Sequence, residues 1–239
     1  MIVAVHQPNF MPWLGYFYKM YKATMFIFLD DVQFIRRGYT GRVGIKTPKG
    51  ESWLTVPVIK KGRYHQLIKD VELEAYPYWR EKILDTLQAC YGKSPYFKFY
   101  FPQLKFIMQR DYHLLVDLNI EIIQWMAAIL GIQEPIIKSS QIPALTGQPN
   151  IGEGTDRLIY ICKVFGASTY LSGFGGINYQ EQEAFDAHRI ELRISDFEHP
   201  QYPQMWGRFI PGLSAIDLLF NYGPDSEDII KFYSGPEED

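Results

Sequence analysis

The 239-residue chain reads as an α/β protein: a parallel-sheet, Rossmann-like core with a β-hairpin excursion and a mainly helical insertion. Three observations predict this. Short apolar runs of strand length end abruptly in polar loops; helical patterns alternate with them at both ends of the chain; and the middle is helical and rich in aromatic residues, with no internal repeat.

The first run, Ile2, Val3, Ala4 and Val5, suits a buried parallel strand, and it gives way to His6, Gln7, Pro8 and Asn9. Pro12 is expected in the first turn of the helix that follows, where a missing N–H costs nothing, and Trp13, Leu14, Phe17, Met20 and Tyr21 recur at helical spacing. A second run over residues 25–29 ends at Asp30 and Asp31 and completes a βαβ unit. Residues 42–46 and 52–58 read as a hairpin across Thr47, Pro48, Lys49 and Gly50. Amphipathic helices follow over 76–91 and 96–130, the latter as one or two, so the insertion is placed at about 76–131. Strand patterns return at 136–139, 168–171 and 190–194. They are separated by a helix over 153–165, ended by Gly166, and another beginning near Gln180. A proline-rich segment over 199–211 and a closing helix over 213–220 finish a single domain of residues 1–235. The acidic residues 236–239 are expected to be a disordered tail.

Composition narrows the partners. A net charge of −3 argues against an extended nucleic-acid binder, because counterion release needs clustered cations, but it leaves room for a single nucleotide or another phosphorylated small molecule. Cys90 and Cys162 stand alone in apolar stretches and read as buried thiols of a reducing cytoplasm, with no metal-ligand set around them. No basic leader precedes the first strand, and the most apolar helical stretch carries Asp117, Asn119, Glu121 and Gln124, so neither export nor a membrane span is expected. The oligomeric state is not legible.

Ligands of open α/β sheets collect outside the carboxyl ends of strands, where a helix N-terminus offers unpaired N–H groups to an anion. His6 stands at such an end. Gln7 and Asn9 share that mouth, Gly15 would let a ligand come close to the helix, and Lys19, one turn later, would reach back to it. An imidazole of near-neutral pKa suits acid or base work, phosphate contact, or the capping of a backbone group. Asp30 and Asp31 point to opposite sides of an extended backbone, so only one, taken as Asp31, is expected to face the ligand, and the alternatives are a ribose- or metal-binding carboxylate and a loop cap that satisfies local N–H groups. Arg42 and Lys46 fall on one face of the hairpin as a phosphate-facing pair or a solvated charge run. Ser172, Gly173, Phe174, Gly175 and Gly176 form a bare strand-to-helix turn where backbone N–H groups can approach phosphate, with Thr155 and Arg157 supplying a hydroxyl and a cation at a helix start. The pattern is neither a Walker motif nor G-x-G-x-x-G. His199, Tyr202 and Gln204 occupy a second proline-locked loop, either lining the site or packing against the core.

Taken together, HQPNFMPWLGYFYK, FLDDVQF, YLSGFGGINY, HPQYPQ and LSAIDLLFNYG, in that order from Ile2 to about Ser226, closely resemble the WbqC-like family. Phe174 stands where the family usually has proline, and Gly44 where asparagine is common. The resemblance implies a role in bacterial surface-polysaccharide and O-antigen assembly, with acyl or aminoacyl transfer to the amine of a nucleotide-activated sugar as the activity. The opening strand, histidine loop, glycine and helix are also similar to adenylyltransferase-like (HUP) folds such as pantothenate synthetase, where an early histidine and glycine hold nucleotide phosphates. The expected participants are therefore a nucleotide-linked sugar and either ATP or an acyl or aminoacyl donor. His6, His199 and Asp31 are the catalytic candidates, and the two histidines are expected on opposite lips of one cleft. Nucleotidyl transfer with pyrophosphate release, and a non-catalytic nucleotide-sugar-binding accessory, are the alternatives.

Overall fold

The computed structural model describes residues 1–75, 78–145, 154–178 and 180–232. The expected tail at 236–239 and the expected starts of two helices at 76 and 153 lie outside them. Five parallel strands form the central sheet: β1 (Ile2–His6), β2 (Met25–Phe28), β5 (Ile136–Lys138), β6 (Thr169–Ser172) and β7 (Glu191–Ile194), in the order β5-β2-β1-β6-β7. The order runs outward from β1 in both directions, as in a doubly wound sheet, so the strand order reverses between β1 and β6. β3 (Arg42–Thr47) and β4 (Gly50–Thr55) pair separately as the antiparallel hairpin, with Thr47 opposite Gly50.

The period-two alternation of side chains sorts the sheet's residues between two apolar layers. Ala4, Phe26, Phe28 and Leu171 pack into the larger one. It also contains α1 (Leu14–Tyr21), the three insertion helices α2 (Tyr78–Tyr91), α3 (Phe97–Gln109) and α4 (Leu115–Ile129), and α7 (Ile216–Tyr222). Val3, Val5, Ile27 and Tyr170 face the other layer, against α5 (Thr155–Val164) and α6 (Gln182–Ala187). A final helix, α8 (Ser226–Phe232), follows α7 and was not anticipated.

One local expectation is corrected. Pro12 lies outside α1, whose N-cap is Trp13, because Trp13 pairs with Ser214 in a β-bridge and Pro12 O accepts the Ala215 N–H. The approach to α1 therefore belongs to the C-terminal segment and not to a ligand. Asn119, fully buried on α4, pins the same connection by donating to Pro8 O at 2.8 Å and Thr40 O at 2.9 Å.

Candidate functional site

A cleft of about 340 Å³ opens where the strand order reverses. Its lining comes from four places. β1 and its continuation supply Val5, His6 and Gln7; Lys19 reaches in from α1; Gly154, Arg157 and Leu158 come from the start of α5; and β6 with the following turn supplies Tyr170, Ser172, Gly173, Gly175 and Gly176. Leu29, Val32 and Gln180 complete it. A polar mouth over an apolar floor is the usual plan of a small-molecule site.

Lys19 is the main charge in the cleft. Only 4% of it is exposed, and its ammonium donates to Val5 O at 2.8 Å. Burial disfavours the charged form and lowers its pKa from 10.5 to about 7. Beside it, burial and then the Lys19 charge lower the His6 pKa from 6.5 to about 3, while a hydrogen bond to Gln7 O opposes them. His6 is therefore neutral at physiological pH, against the near-neutral titration expected of it. With Nδ1–H donating to Gln7 O at 3.1 Å, Nε2 carries the lone pair. The Tyr16 ring lies tilted against His6 with centroids 4.6 Å apart, and its hydroxyl also donates to Gln7 O, fixing this corner.

The facing wall is bare backbone. A Cβ at Gly173 or Gly175 would meet no protein atom within 4 Å, whereas one at Gly176 would collide with Ser172 Oγ and Gln180 Oε1. Gly176 is thus required by the fold, and the other two leave open space in front of the turn. Arg157 extends from the first turn of α5 and pairs with Asp31 at 2.6 Å, while its Nε is buried without a hydrogen-bond partner. Gln180 Oε1 is likewise buried and unsatisfied at the cleft. Sequence reasoning did not select Gln180. Its position four residues after Gly176, with its N–H donating to Gly176 O, is the signal that would have found it.

The remaining candidates divide by position. His6, Gln7, Lys19, Arg157, Ser172, Gly173, Gly175 and Gly176 converge on the cleft. Asp31 stands behind it as the partner of Arg157. Asp30, 1% exposed, caps the turn after β5 by accepting from Ser140 N and Oγ. Thr155 accepts from Glu181 N, joining α5 to α6. Asn9 is buried in the β1–α1 connection, and the α1 N-terminus beyond it does not line the cleft; the α5 N-terminus does. Gly15 is explained by Trp13, whose indole occupies the space a Cβ would need, and not by an approaching ligand.

His199, Tyr202, Gln204, Arg42 and Lys46 do not line this cleft, so the expectation that His6 and His199 form its two lips is corrected. His199 packs among Phe197, Tyr202 and Phe209, and its Nδ1 donates to Pro200 O. Lys46 is fully buried and donates to Gln204 Oε1 and to the carbonyls of Gly207 and Arg208, so its ammonium serves the protein rather than a phosphate. Parity along the strand placed Arg42 and Lys46 on one face, but the 204–208 segment covers only one of them. Arg42 instead lies over the Trp53 ring, 4.3 Å from its centroid.

A second cavity, of about 420 Å³, is lined by β5 and the end of β2, and both of its cations are already paired with carboxylates. Arg110 pairs with Glu121, and Lys138 with Asp117 at 3.9 Å. Cys90 and Cys162 are buried free thiols, with burial raising the Cys162 pKa to about 12, so neither is an activated nucleophile. Among the described residues, no group of three or more His, Cys, Asp or Glu could hold a metal ion. Among the same residues, no helix is long and apolar enough to cross a membrane.

The sequence model of the WbqC-like protein family matches residues 7–229, taking in both walls of the cleft. The chain belongs to that family. Another relative of this WbqC-like chain is "Uncharacterized protein Rv1507c" of Mycobacterium tuberculosis (strain ATCC 25618 / H37Rv), 31% identical over 232 residues, which are 96% of this chain and 97% of the relative. No solved structure matches the chain.

Proposed function

We propose that the chain is a biosynthetic transferase whose switch-point cleft holds a nucleotide-activated amino sugar and promotes acyl or aminoacyl transfer to the sugar amine. The carrying observation is a buried ammonium, Lys19, facing a turn stripped of side chains at Gly173 and Gly175, at the place where an α/β sheet collects ligands. An anion there would meet a charge-assisted donor on one side and backbone N–H groups on the other.

The same anion would supply the missing counter-charge. It would hold Lys19 protonated and, as a negative charge beside the ring, oppose the burial that chiefly keeps His6 neutral together with the lesser Lys19 repulsion. In the loaded site, His6 Nε2 is the base that takes the proton from the attacking amine, and Lys19 and the glycine turn hold the phosphates. The amine attacks the donor's acyl carbonyl directly, the bond from that carbonyl to the donor's carrier breaks, and the carrier leaves with the bonding electrons, a course that suits a site without a reactive thiol. Nucleotidyl transfer is the second reading, favoured by the same His6 and Lys19 beside the phosphate wall. It differs in releasing pyrophosphate.

The test has two stages. Thermal-shift and calorimetric titrations with nucleotides and with a UDP-linked amino sugar should give a stabilising ligand whose affinity falls about 10- to 100-fold in Lys19→Met, the range for losing one charge-assisted hydrogen bond. Mass spectrometry of the bound sugar with acyl and aminoacyl donors should then find a new amide, lost in His6→Ala by a larger factor than binding. Stabilisation without any turnover would leave the accessory reading in place. No shift with any nucleotide would remove the proposal.

A further inference from the structure

Nine of the chain's 24 lysines and arginines fall within residues 32–69, with one of its 27 acids. Lys46 is buried, and Arg63 and Lys69 pair with Glu72 and Asp70 just beyond the segment, so the basic surface of this arm consists of Arg36, Arg37, Arg42, Lys49, Lys60 and Lys61. The arm is also studded with exposed rings: Tyr39 is 60% exposed, Trp53 43% and Tyr64 73%. They meet the cations in two groups. The Arg36 guanidinium lies 5.4 Å from the Tyr64 centroid, Arg42 lies over Trp53, and the Trp53 and Tyr39 rings are 5.9 Å apart. Residues 32–34 run beside 66–68 through the Gln33–Leu67 bridge and the Phe34 N to Gln66 O bond, which brings the Lys60–Arg63 turn and Tyr64 to the same end as Arg36. Arg63 pairs with Glu72, but Arg36, Lys60 and Lys61 form no ion pair among the described residues.

The arm adjoins the cleft. Val32 is part of the cleft lining, and the Thr40 hydroxyl donates to Oε1 of Gln7, another lining residue. Flat rings and guanidinium planes interleaved with unneutralised cations suit a strand that presents alternating bases and phosphates. We propose that this arm is a docking surface for single-stranded RNA, placing the end of the strand at the mouth of the cleft. If the transferase reading holds, the group donor is then one carried on an RNA 3′ end. Only that last step rests on the transferase reading; the surface itself does not.

The test uses the whole protein and unacylated 12-nucleotide single-stranded RNA, followed by fluorescence anisotropy. Inorganic polyphosphate and vesicles with anionic phospholipid are run in parallel. The RNA should bind with an affinity that falls steeply with salt. Trp53→Ala and Tyr64→Ala should each weaken it about 5- to 100-fold, the range for removing one base-stacking ring. Arg36→Gln with Lys61→Gln should flatten the salt slope by about two charges. All these positions are partly or largely exposed, and unchanged melting temperatures would confirm that the variants fold. Absence of RNA binding, or binding insensitive to Trp53 and Tyr64 and matched by polyphosphate, would overturn the proposal. Vesicle binding without RNA binding would overturn it in favour of a membrane surface. Because the probe carries no acyl group, failure here leaves nucleotide binding in the cleft as a separate result.

Discussion

Lys19 and His6 each have the neutral form favoured by the fold, and both have consequences for stability as well as binding. Between the folded pKa of about 7 and the ordinary value of 10.5, the unfolded chain holds a proton on Lys19 that the native protein lacks. Stability therefore rises with pH across that window, and the cost of the buried charge is fully present below it. Lys19→Met should raise the melting temperature most near pH 6, and the advantage should shrink toward pH 10 in calorimetric scans. For His6 the window lies between about 3 and 6.5, where stability is lost as the pH falls. His6→Gln should flatten the acid limb of the melting profile in that range. Anion binding runs the other way: it draws a proton onto Lys19, so phosphate affinity should weaken as the pH climbs above 7. The sequence placed both residues at the strand mouth, but burial, which no local pattern encodes, reversed which of them titrates near neutrality.

At the scale of elements, the glycine turn and the α5 start can be separated by substitution. Gly175→Ala has room within the protein, so it should leave the melting temperature unchanged while reducing nucleotide affinity. Gly176→Ala should disturb the turn itself and lower both. Arg157→Leu would leave Asp31, a mostly buried carboxylate, with Ser139 Oγ as its remaining side-chain donor among the described residues. A loss of about 1–3 kcal/mol in denaturant unfolding is expected, between the values for exposed and buried pairs. The strands and the hairpin were legible because apolar runs, parity and turn residues are local signals. The Arg157–Asp31 pair and the cover over Lys46 were not, since each joins segments more than a hundred residues apart. The exact ends of helices also escaped, Pro12 being the clearest case: its residue type fits a first turn, but its carbonyl is taken by Ala215.

Across the whole molecule, one buried polar cluster ties the hairpin to the helices and the C-terminal loops. The Lys46 backbone N–H donates to Tyr91 Oη on α2, and that hydroxyl donates to Asp217 Oδ2 on α7 at 2.9 Å. Among the described residues the other carboxylate oxygen of Asp217, Oδ1, is buried without a hydrogen-bond partner, and burial pushes the Asp217 pKa upward. Lys46→Met should therefore cost about 2–4 kcal/mol in stability by leaving its partners unmatched, with nucleotide affinity at the cleft unchanged. Net charge averages an acidic body with the more basic segment 32–69, so it carries no information on that segment taken alone.

The register that sets Ile2 beside Thr169 and Ala4 beside Leu171 joins the two walls of the cleft across most of the chain's length. Contacts so distant along the chain close slowly, because a large loop must be ordered before they form. In refolding from denaturant, burial of the insertion's aromatic side chains should recover first, and competence to bind a nucleotide should return in a later, slower phase.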